Sequence, residues 1–207
     1  MIASMQSDQS FFDQAWSLLR RGVVDKRHGF NIGTFTTLGT TTDESTIQIP
    51  VSRTVVLRAV DMTAGTLNCY TDIRSQKVKH LLEHPYASWC LWDKRSRIQV
   101  TAYGAVEIVH DDTARQRYLS LPKHSRKAYA THTAPGLTLA GDSADGLPDN
   151  WEELDLQATD YAAEHFAILT TRLLSMDVLA LSRDGHQRLR ATRQKVGGTW
   201  LLTWVVP

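Results

Sequence analysis

Two apolar runs separated by a turn and followed by a helix start lie between Arg53 and Lys77, and this stretch most limits how the chain can fold. The runs cover residues 55–57 and 65–70, and two such runs around a turn predict a β-hairpin. A helical pattern then begins at Ser75 with hydroxyls and a cation, and the free N–H groups of a helix start favour an anion. The stretch is typical of a phosphate site beside two strands. Arginines at strand ends and a serine helix cap are also common without any ligand, so both interpretations stay open at this point.

A longer ordered set of residues resembles a known family. The set consists of Arg53-x-Val55-Val56-Leu57-Arg58, Tyr70-Thr71, Ser75-x-Lys77, His84-Pro85, and a strand that contains Gln99-Val100 and ends in Gly104. It resembles the pyridoxamine 5'-phosphate oxidase family of FMN-binding split barrels, nearly without gaps from about Val51 to Val109 and again at the C-terminus. The resemblance implies a mainly β fold with flanking helices, an antiparallel FMN-binding split β-barrel, working as a homodimer. A related cofactor, such as a deazaflavin or haem, stays open on the same fold.

The resemblance also implies which residues contact FMN. Arg53, Ser75 and Lys77 are expected to hold the phosphate, while Thr71, Gln99 and the backbone of residues 55–57 face the ring. Ser125 and Arg126 are the nearest counterparts of residues with which the neighbouring subunit completes the phosphate site. The full expected set is Arg53, Thr54, Val55, Val56, Leu57, Arg58, Tyr70, Thr71, Ser75, Gln76, Lys77, Gln99, Ser125, Arg126 and Arg190.

The substrate-binding residues of the family are altered in this chain. The family's Arg-x-His triplet falls on residues 186–188, where His186 and Arg188 have exchanged places, and the expected tryptophan near the flavin is Ala180. The arginine that follows the family's substrate-binding tyrosine has no counterpart after Tyr118. An imidazole lacks the fixed charge and forked geometry of a guanidinium. The resemblance therefore implies an FMN-dependent oxidoreductase that transfers hydride between the flavin and a small substrate other than a B6 phosphate, with His186 and Arg188 as the candidate catalytic residues. The alternative is a non-catalytic flavin carrier or sensor.

The remaining pattern predicts many strands and few helices. A helix is expected over Ser10–Val24 with Ser10 as its cap, and an acidic helical segment over Trp151–His165. Alternating runs predict a chain made mostly of strands, which suits a closed antiparallel barrel. The predicted strands are Phe30–Leu38, a run from Ile47 to Val51, the two runs of the central hairpin, Ala87–Trp92, Ile98–Val109, Phe166–Leu173, Met176–Leu181, and a last hairpin around Gly197-Gly198.

Length and composition suit one domain. The chain has 207 residues, of which 42% are hydrophobic, and we expect a single domain over 1–207, with an N-terminal helix within 1–25 and a mobile loop over 133–150. A net charge of +1 gives no general reason to expect nucleic acid or a membrane surface as partner. A polar start and the lack of a long apolar run predict a cytoplasmic protein. Cys69 and Cys90 are expected to be buried thiols, and the histidine spacing indicates no metal site.

Overall fold

The computed structural model describes residues 7–40, 47–139, 145–195 and 197–207. Its helices are α1 (Asp8–Val24), α2 (Gln76–Glu83), α3 (Asp112–Leu119) and α4 (Lys123–Arg126), with short 3-10 helices at Gly29–Asn31, Lys127–Tyr129, Trp151–Glu153 and Gln157–His165. Its strands are β1 (Ile32–Thr40), β2 (Gln48–Val56), β3 (Ala59–Asp61), β4 (Thr66–Asp72), β5 (Tyr86–Asp93), β6 (Ile98–Val109), β7 (Phe166–Ala180), β8 (Gln187–Thr192) and β9 (Leu201–Val205).

The strands form one antiparallel sheet whose two outermost strands are neighbours along the chain. The order is β2-β1-β5-β6-β7-β4-β3, and β8 pairs with β7 and β9. Only Leu57 and Arg58 separate β2 from β3, so the sheet must roll until its ends meet. A backbone hydrogen bond of 2.8 Å from the Arg58 N–H to the Asn68 carbonyl joins the end of β2 to β4. This closure matches the predicted barrel class.

Strand β2 has one open edge. It pairs with β1 from Ile32↔Val56 to Thr40↔Gln48, and no strand in the described ranges pairs with its other side. Pro50 lies within β2, which fits an edge strand because proline cannot donate to a ladder. Alternate backbone groups of β2 are therefore open to a ligand beside the start of α2.

Two apolar clusters hold the fold together. The larger fills the barrel and includes Phe35, Trp89 and Val100, and α1 covers it with Phe11, Phe12 and Trp16. The smaller packs α3 and the segment around Trp151 against Phe166 at the start of β7. Each buried aromatic side chain removes a large apolar area from water, which is the main stabilising contribution. The barrel and the smaller cluster meet along β4 and β7, beside the open edge of β2.

Several sequence expectations are corrected by the structure. The predicted pairing of residues 55–57 with 65–70 is wrong, because β4 forms its hairpin with β3, whereas β2 pairs with β1. The two strands predicted over Phe166–Leu181 are one strand, β7, with a register shift opposite Tyr103 and Gly104. A Cβ at Gly104 would lie 2.0 Å from the Arg172 carbonyl oxygen, so glycine permits this close approach. The cap of α1 is Ser7 and not Ser10, since the Ser7 side chain accepts from the Ser10 N–H.

The outcomes for the remaining sequence expectations are mixed. The acidic segment over Trp151–His165 consists of 3-10 turns. Cys69 is buried as expected, but Cys90 is exposed because it faces outward from β5. The loop at 133–150 falls partly outside the described residues, and its mobility stays a prediction. The described helices include none with the length and apolarity needed to cross a membrane; the cytoplasmic location stays a prediction. The described residues contain no cluster of metal-ligating side chains.

Candidate cofactor site

Two cations meet where the open edge of β2 faces the start of α2. The Arg53 guanidinium donates to the Thr37 hydroxyl at 2.8 Å and to the Phe35 carbonyl at 3.3 Å. The Lys77 ammonium donates to the hydroxyls of Thr71 and Ser75 at 2.9 and 3.1 Å. All four acceptors are neutral. Among the described residues neither cation forms an ion pair, so both positive charges remain available to an anion.

The electrostatics of the two cations fit an anion site. Burial and the charge of Arg53 lower the pKa of Lys77, and burial lowers the pKa of Arg53. The nearby carboxylate of Asp72 lies behind this pair and accepts two hydrogen bonds from the Arg74 guanidinium, at 2.7 and 3.0 Å. A bound anion would reduce the repulsion between these two positive charges, which have no carboxylate between them.

The serine at the start of α2 binds the lysine and does not cap the helix through its side chain. The Ser75 hydroxyl accepts from Lys77 and lies 3.1 Å from the Thr71 hydroxyl, and it makes no capping bond to the helix backbone. Thr71 and Ser75 are buried behind Lys77, so their part is to position its ammonium group. Gln76 at the first turn of the helix is exposed.

A cavity of about 320 Å³ opens beside the cation pair. This volume lies at the lower end of the range for small-molecule sites. Seven predicted site residues line it, together with three that sequence reasoning missed; the predicted ones are Arg53, Thr54, Val55, Val56, Arg58, Tyr70 and Lys77, and the missed ones are Ile32, Ala128 and Tyr129. Apolar and aromatic walls next to a pair of cations suit a flat ring that carries a phosphate.

Tyr70 is held at the wall of this cavity by two guanidinium groups. Arg58 and Arg117 lie 5.3 and 5.6 Å from the centre of the Tyr70 ring, and the Arg117 side chain donates to the Tyr70 hydroxyl. The neighbouring Tyr118 is fully buried and its hydroxyl donates to the Thr159 carbonyl. Arg117, which precedes that tyrosine, therefore supplies an exposed guanidinium that the sequence comparison did not anticipate.

Two predicted residues belong to the framework around the cavity. Arg126 is 1% exposed and donates to the carbonyls of Leu119 and Leu121 and to the Asp160 carboxylate, among other acceptors. Leu57 is fully buried, and its N–H donates to the Asn31 carbonyl at 2.8 Å. The Arg126 guanidinium and the Leu57 N–H thus already have acceptors within the chain. Ser125 is half-buried in α4, next to the segment that supplies Ala128.

The other predicted residues lie on the outward face of the sheet, in a second group. Arg188 and Arg190 on β8 both pair with Asp177, at 2.8 and 3.4 Å. They line a cavity of about 480 Å³ that shares no lining residue with the first. On the same face, the Gln99 amide donates to the Thr101 hydroxyl at 3.4 Å. His186 is exposed in the turn before β8, where its Nδ1 accepts from the Ser182 N–H.

One outward-facing row of residues connects the two cavities across the sheet. Cross-strand pairing aligns Thr54, Thr34, Cys90, Thr101, Asp177 and Arg190. Thr54 lines the first cavity, and the last three residues of the row line the second. Apolar side chains stand beside this row: Ile32, Trp92 and Tyr103 are 55%, 41% and 52% exposed. The two halves of the predicted site thus lie at opposite ends of one partly apolar face.

Sequence reasoning missed the residues that support the cations. Thr37 and His80 lie behind Arg53, and Asp177 neutralises the arginines of β8. The one signal available was the spacing of His80, three residues after Lys77, which places both side chains on one face of α2. The pairing of Asp177 with two arginines depends on the β7–β8 register, which local sequence does not reveal.

Comparison with known proteins supports the resemblance. Residues 13–110 match the family model described as pyridoxamine 5'-phosphate oxidase, FMN-binding domain. A pyridoxine/pyridoxamine 5'-phosphate oxidase of Agrobacterium fabrum (strain C58) is 38% identical over 78 residues, which cover 38% of this chain and 37% of that protein. The chain thus aligns with little more than a third of the length of this curated relative. The matched domain is an FMN-binding domain, in agreement with the expected cofactor.

Solved structures confirm the fold over nearly the whole chain. A pyridoxamine 5'-phosphate oxidase-related, FMN-binding protein from Nostoc punctiforme superimposes with a TM-score of 0.69 and 17% identity, over 94% of this chain and 96% of that one. PhzG from Burkholderia lata, solved with tetrahydrophenazine-1-carboxylic acid, gives a TM-score of 0.67 and 18% identity, over 99% of this chain and 95% of that one. The predicted mainly antiparallel split barrel with flanking helices is therefore confirmed.

Proposed function

We propose that this chain, a relative of the pyridoxamine 5'-phosphate oxidase family of FMN-binding proteins, binds FMN non-covalently with its phosphate between Arg53 and Lys77. The observation that carries the proposal is the pair of partly buried cations, which donate to neutral groups and lie beside a cavity with apolar and aromatic walls. The ring would lie along residues 54–56, where the open edge of β2 offers backbone groups. Tyr70 and Tyr129 would line the other wall.

We further propose that the working unit is a homodimer built on the outward face. In a two-fold dimer, residue i of one copy contacts residue j of the other and the reverse. The two cavities lie at opposite ends of one row, so this symmetry would bring the Arg190 end of each copy over the Arg53 end of the other. Gln99 and Arg190 would then reach a ring that the Lys77 side of the first copy holds. The exposed Ile32, Trp92 and Tyr103 supply apolar area for such an interface.

The proposed activity is the oxidation or reduction of a small substrate. FMN supplies hydride chemistry when bound, and the protein contributes binding, orientation and electrostatics. In the proposed dimer, Arg188 and His186 would lie near the exposed side of the ring and orient the substrate. Arg58 lines the cavity and Arg117 contacts Tyr70 at its wall, and this positive charge favours a substrate with an anionic group.

A flavin carrier or sensor is the second candidate function, and one observation favours it. The Asp177 carboxylate pairs with both Arg188 and Arg190. The positive charge with which these arginines would bind an anionic substrate is therefore partly neutralised within the chain. Arg188 donates to Asp177 through Nε alone, so its terminal N–H groups can still bind a substrate, but with a partly neutralised charge. A carrier does not need that charge.

Two measurements test these proposals. Purified protein mixed with FMN should show a perturbed flavin spectrum, and light scattering should give the mass of a dimer. A protein that fails to bind added FMN would refute the cofactor proposal, and a monomer in the presence of FMN would refute the dimer.

Anaerobic stopped-flow reduction separates the two functions. Flavin bleaching by NAD(P)H but not by pyridoxamine 5'-phosphate would support a reductase with an altered substrate. Rapid bleaching by pyridoxamine 5'-phosphate would contradict the proposed exclusion of B6 phosphates. No bleaching by either would favour the carrier.

A further inference from the structure

A buried histidine lies directly behind the arginine of the cation pair. His80 is on α2, one turn after Lys77, and is 6% exposed. Its Nδ1 lies 3.0 Å from the hydroxyl oxygen of Thr37, which is 2% exposed. The same hydroxyl oxygen accepts from the Arg53 guanidinium at 2.8 Å. Three side chains from α2, β1 and β2 thus form one hydrogen-bonded chain that ends at the proposed phosphate site.

One of the two hydrogen bonds has a fixed direction. A guanidinium only donates, so the Thr37 oxygen accepts from Arg53. The direction of the bond between Thr37 and Nδ1 of His80 depends on the imidazole tautomer. A neutral imidazole with its proton on Nε2 accepts the Thr37 proton at Nδ1, and the inference uses this tautomer. Burial lowers the pKa of His80, as does the charge of Arg53, while Glu83 acts in the opposite direction.

The ring is also fixed in orientation by the strand beneath it. A Cβ at Gly39 on β1 would lie 2.7 Å from both Cε1 and Nε2 of His80. The imidazole therefore occupies the space that a side chain at position 39 would need. Because the ring lies against the strand, Nδ1 is held towards Thr37.

We propose that His80 is a positioning residue for anion recognition, acting through the Thr37 hydroxyl to hold the Arg53 guanidinium towards the phosphate. This inference rests on the proposed FMN site and names His80 and Thr37 as the residues that position Arg53 there. Because α2 carries both Lys77 and His80, it positions both cations of the pair. A histidine that only filled space in the core would have no selective effect on a ligand's phosphate.

The test compares affinity for FMN with affinity for riboflavin, which has the same ring and no phosphate. The ratio of the two dissociation constants isolates the phosphate interaction. His80→Leu removes the acceptor, Thr37→Val removes the hydroxyl at nearly equal volume, and His80→Asn places an amide oxygen where Nδ1 stood. His84→Leu at the end of the same helix is the matched control, since His84 contacts Gln48 and not the cation pair.

The expected result is selective for the phosphate. His80→Leu and Thr37→Val should each lower the preference for FMN over riboflavin by about 3- to 10-fold, the worth of one hydrogen bond. The double variant should lose no more than either single one, because the residues act in series. His80→Asn should restore most of the preference, and His84→Leu should leave it unchanged.

Two results would overturn the inference, and they are distinguishable. An unchanged preference in Thr37→Val and His80→Leu, with the parent protein strongly preferring FMN, would show that His80 is only structural. A parent protein that binds riboflavin as tightly as FMN would refute the phosphate site itself, and the positioning role with it. If His80→Leu does not fold, Thr37→Val alone decides between the first result and the expected one.

Discussion

Replacing Lys77 by methionine tests the phosphate site most directly. The ammonium group has three N–H donors, and two of them are used by the hydroxyls of Thr71 and Ser75. One donor is left for a phosphate oxygen, and a hydrogen bond to a charged group contributes about 1.5–3 kcal/mol. The Lys77→Met variant should therefore bind FMN about 10- to 150-fold more weakly.

The assay is a flavin fluorescence titration with FMN and with riboflavin, at two salt concentrations. Riboflavin affinity should change little, and most of the loss for FMN should persist at the higher salt concentration, because partly buried charges are screened much less than exposed ones. Lys79→Met is the matched control, because Lys79 lies two residues further along α2 and is exposed. Equal losses for both flavins, or equal effects of the two variants, would refute the assignment of the phosphate to Lys77.

Three further predictions concern stability and accessibility. Arg126→Met should lower the free energy of unfolding by about 2–4 kcal/mol in urea titrations, because buried acceptors lose their donor, while the preference for FMN over riboflavin stays unchanged. The cofactor-free protein should lose stability as the pH falls below about 6.5, since the unfolded chain protonates His80 more readily than the folded one. The His80→Asn variant should lose less stability over this pH range. Identical profiles of unfolding free energy against pH for the parent and the variant would contradict the prediction. A thiol reagent should label the exposed Cys90 and not the buried Cys69, because burial raises the pKa of Cys69 to about 12. Labelling of Cys90 should slow as the protein dimerises, and mass spectrometry identifies the labelled residue. Rapid labelling of Cys69 in the native protein would contradict the prediction.

The sequence predicts local structure well where periodicity and capping act together. The boundaries of β6 follow the alternation over Ile98–Val109. Strand pairing was harder to predict. The two runs around residue 62 look like one hairpin, yet Arg58 ends the first run, and the short β3 inserted after it pairs with β4. Which strand pairs with which depends on the rolling of the whole sheet, and no local pattern encodes that.

The residues of the candidate site likewise fall into those that local sequence predicts and those that depend on long-range packing. Residues close together in sequence, such as Ser75 and Lys77, converge as expected because one helix start holds them. Arg126 was assigned by its residue type, and a basic side chain next to serine gives no sign that it will be buried with Asp160. His80 and Thr37 were missed because they are 43 residues apart in sequence. Their contact exists only because α2 packs across β1.

The open edge of β2 creates two opposing requirements. An unpaired strand edge can accept a strand from another molecule, which is a common route to aggregation. The same edge must stay accessible if its backbone is to contact a cofactor. Pro50 removes one donor from the edge far from the cavity, and Arg53 places a charge near it. Pro50 and Arg53 would thus limit strand addition along β2, and the end near Val56 would stay open to the proposed cofactor.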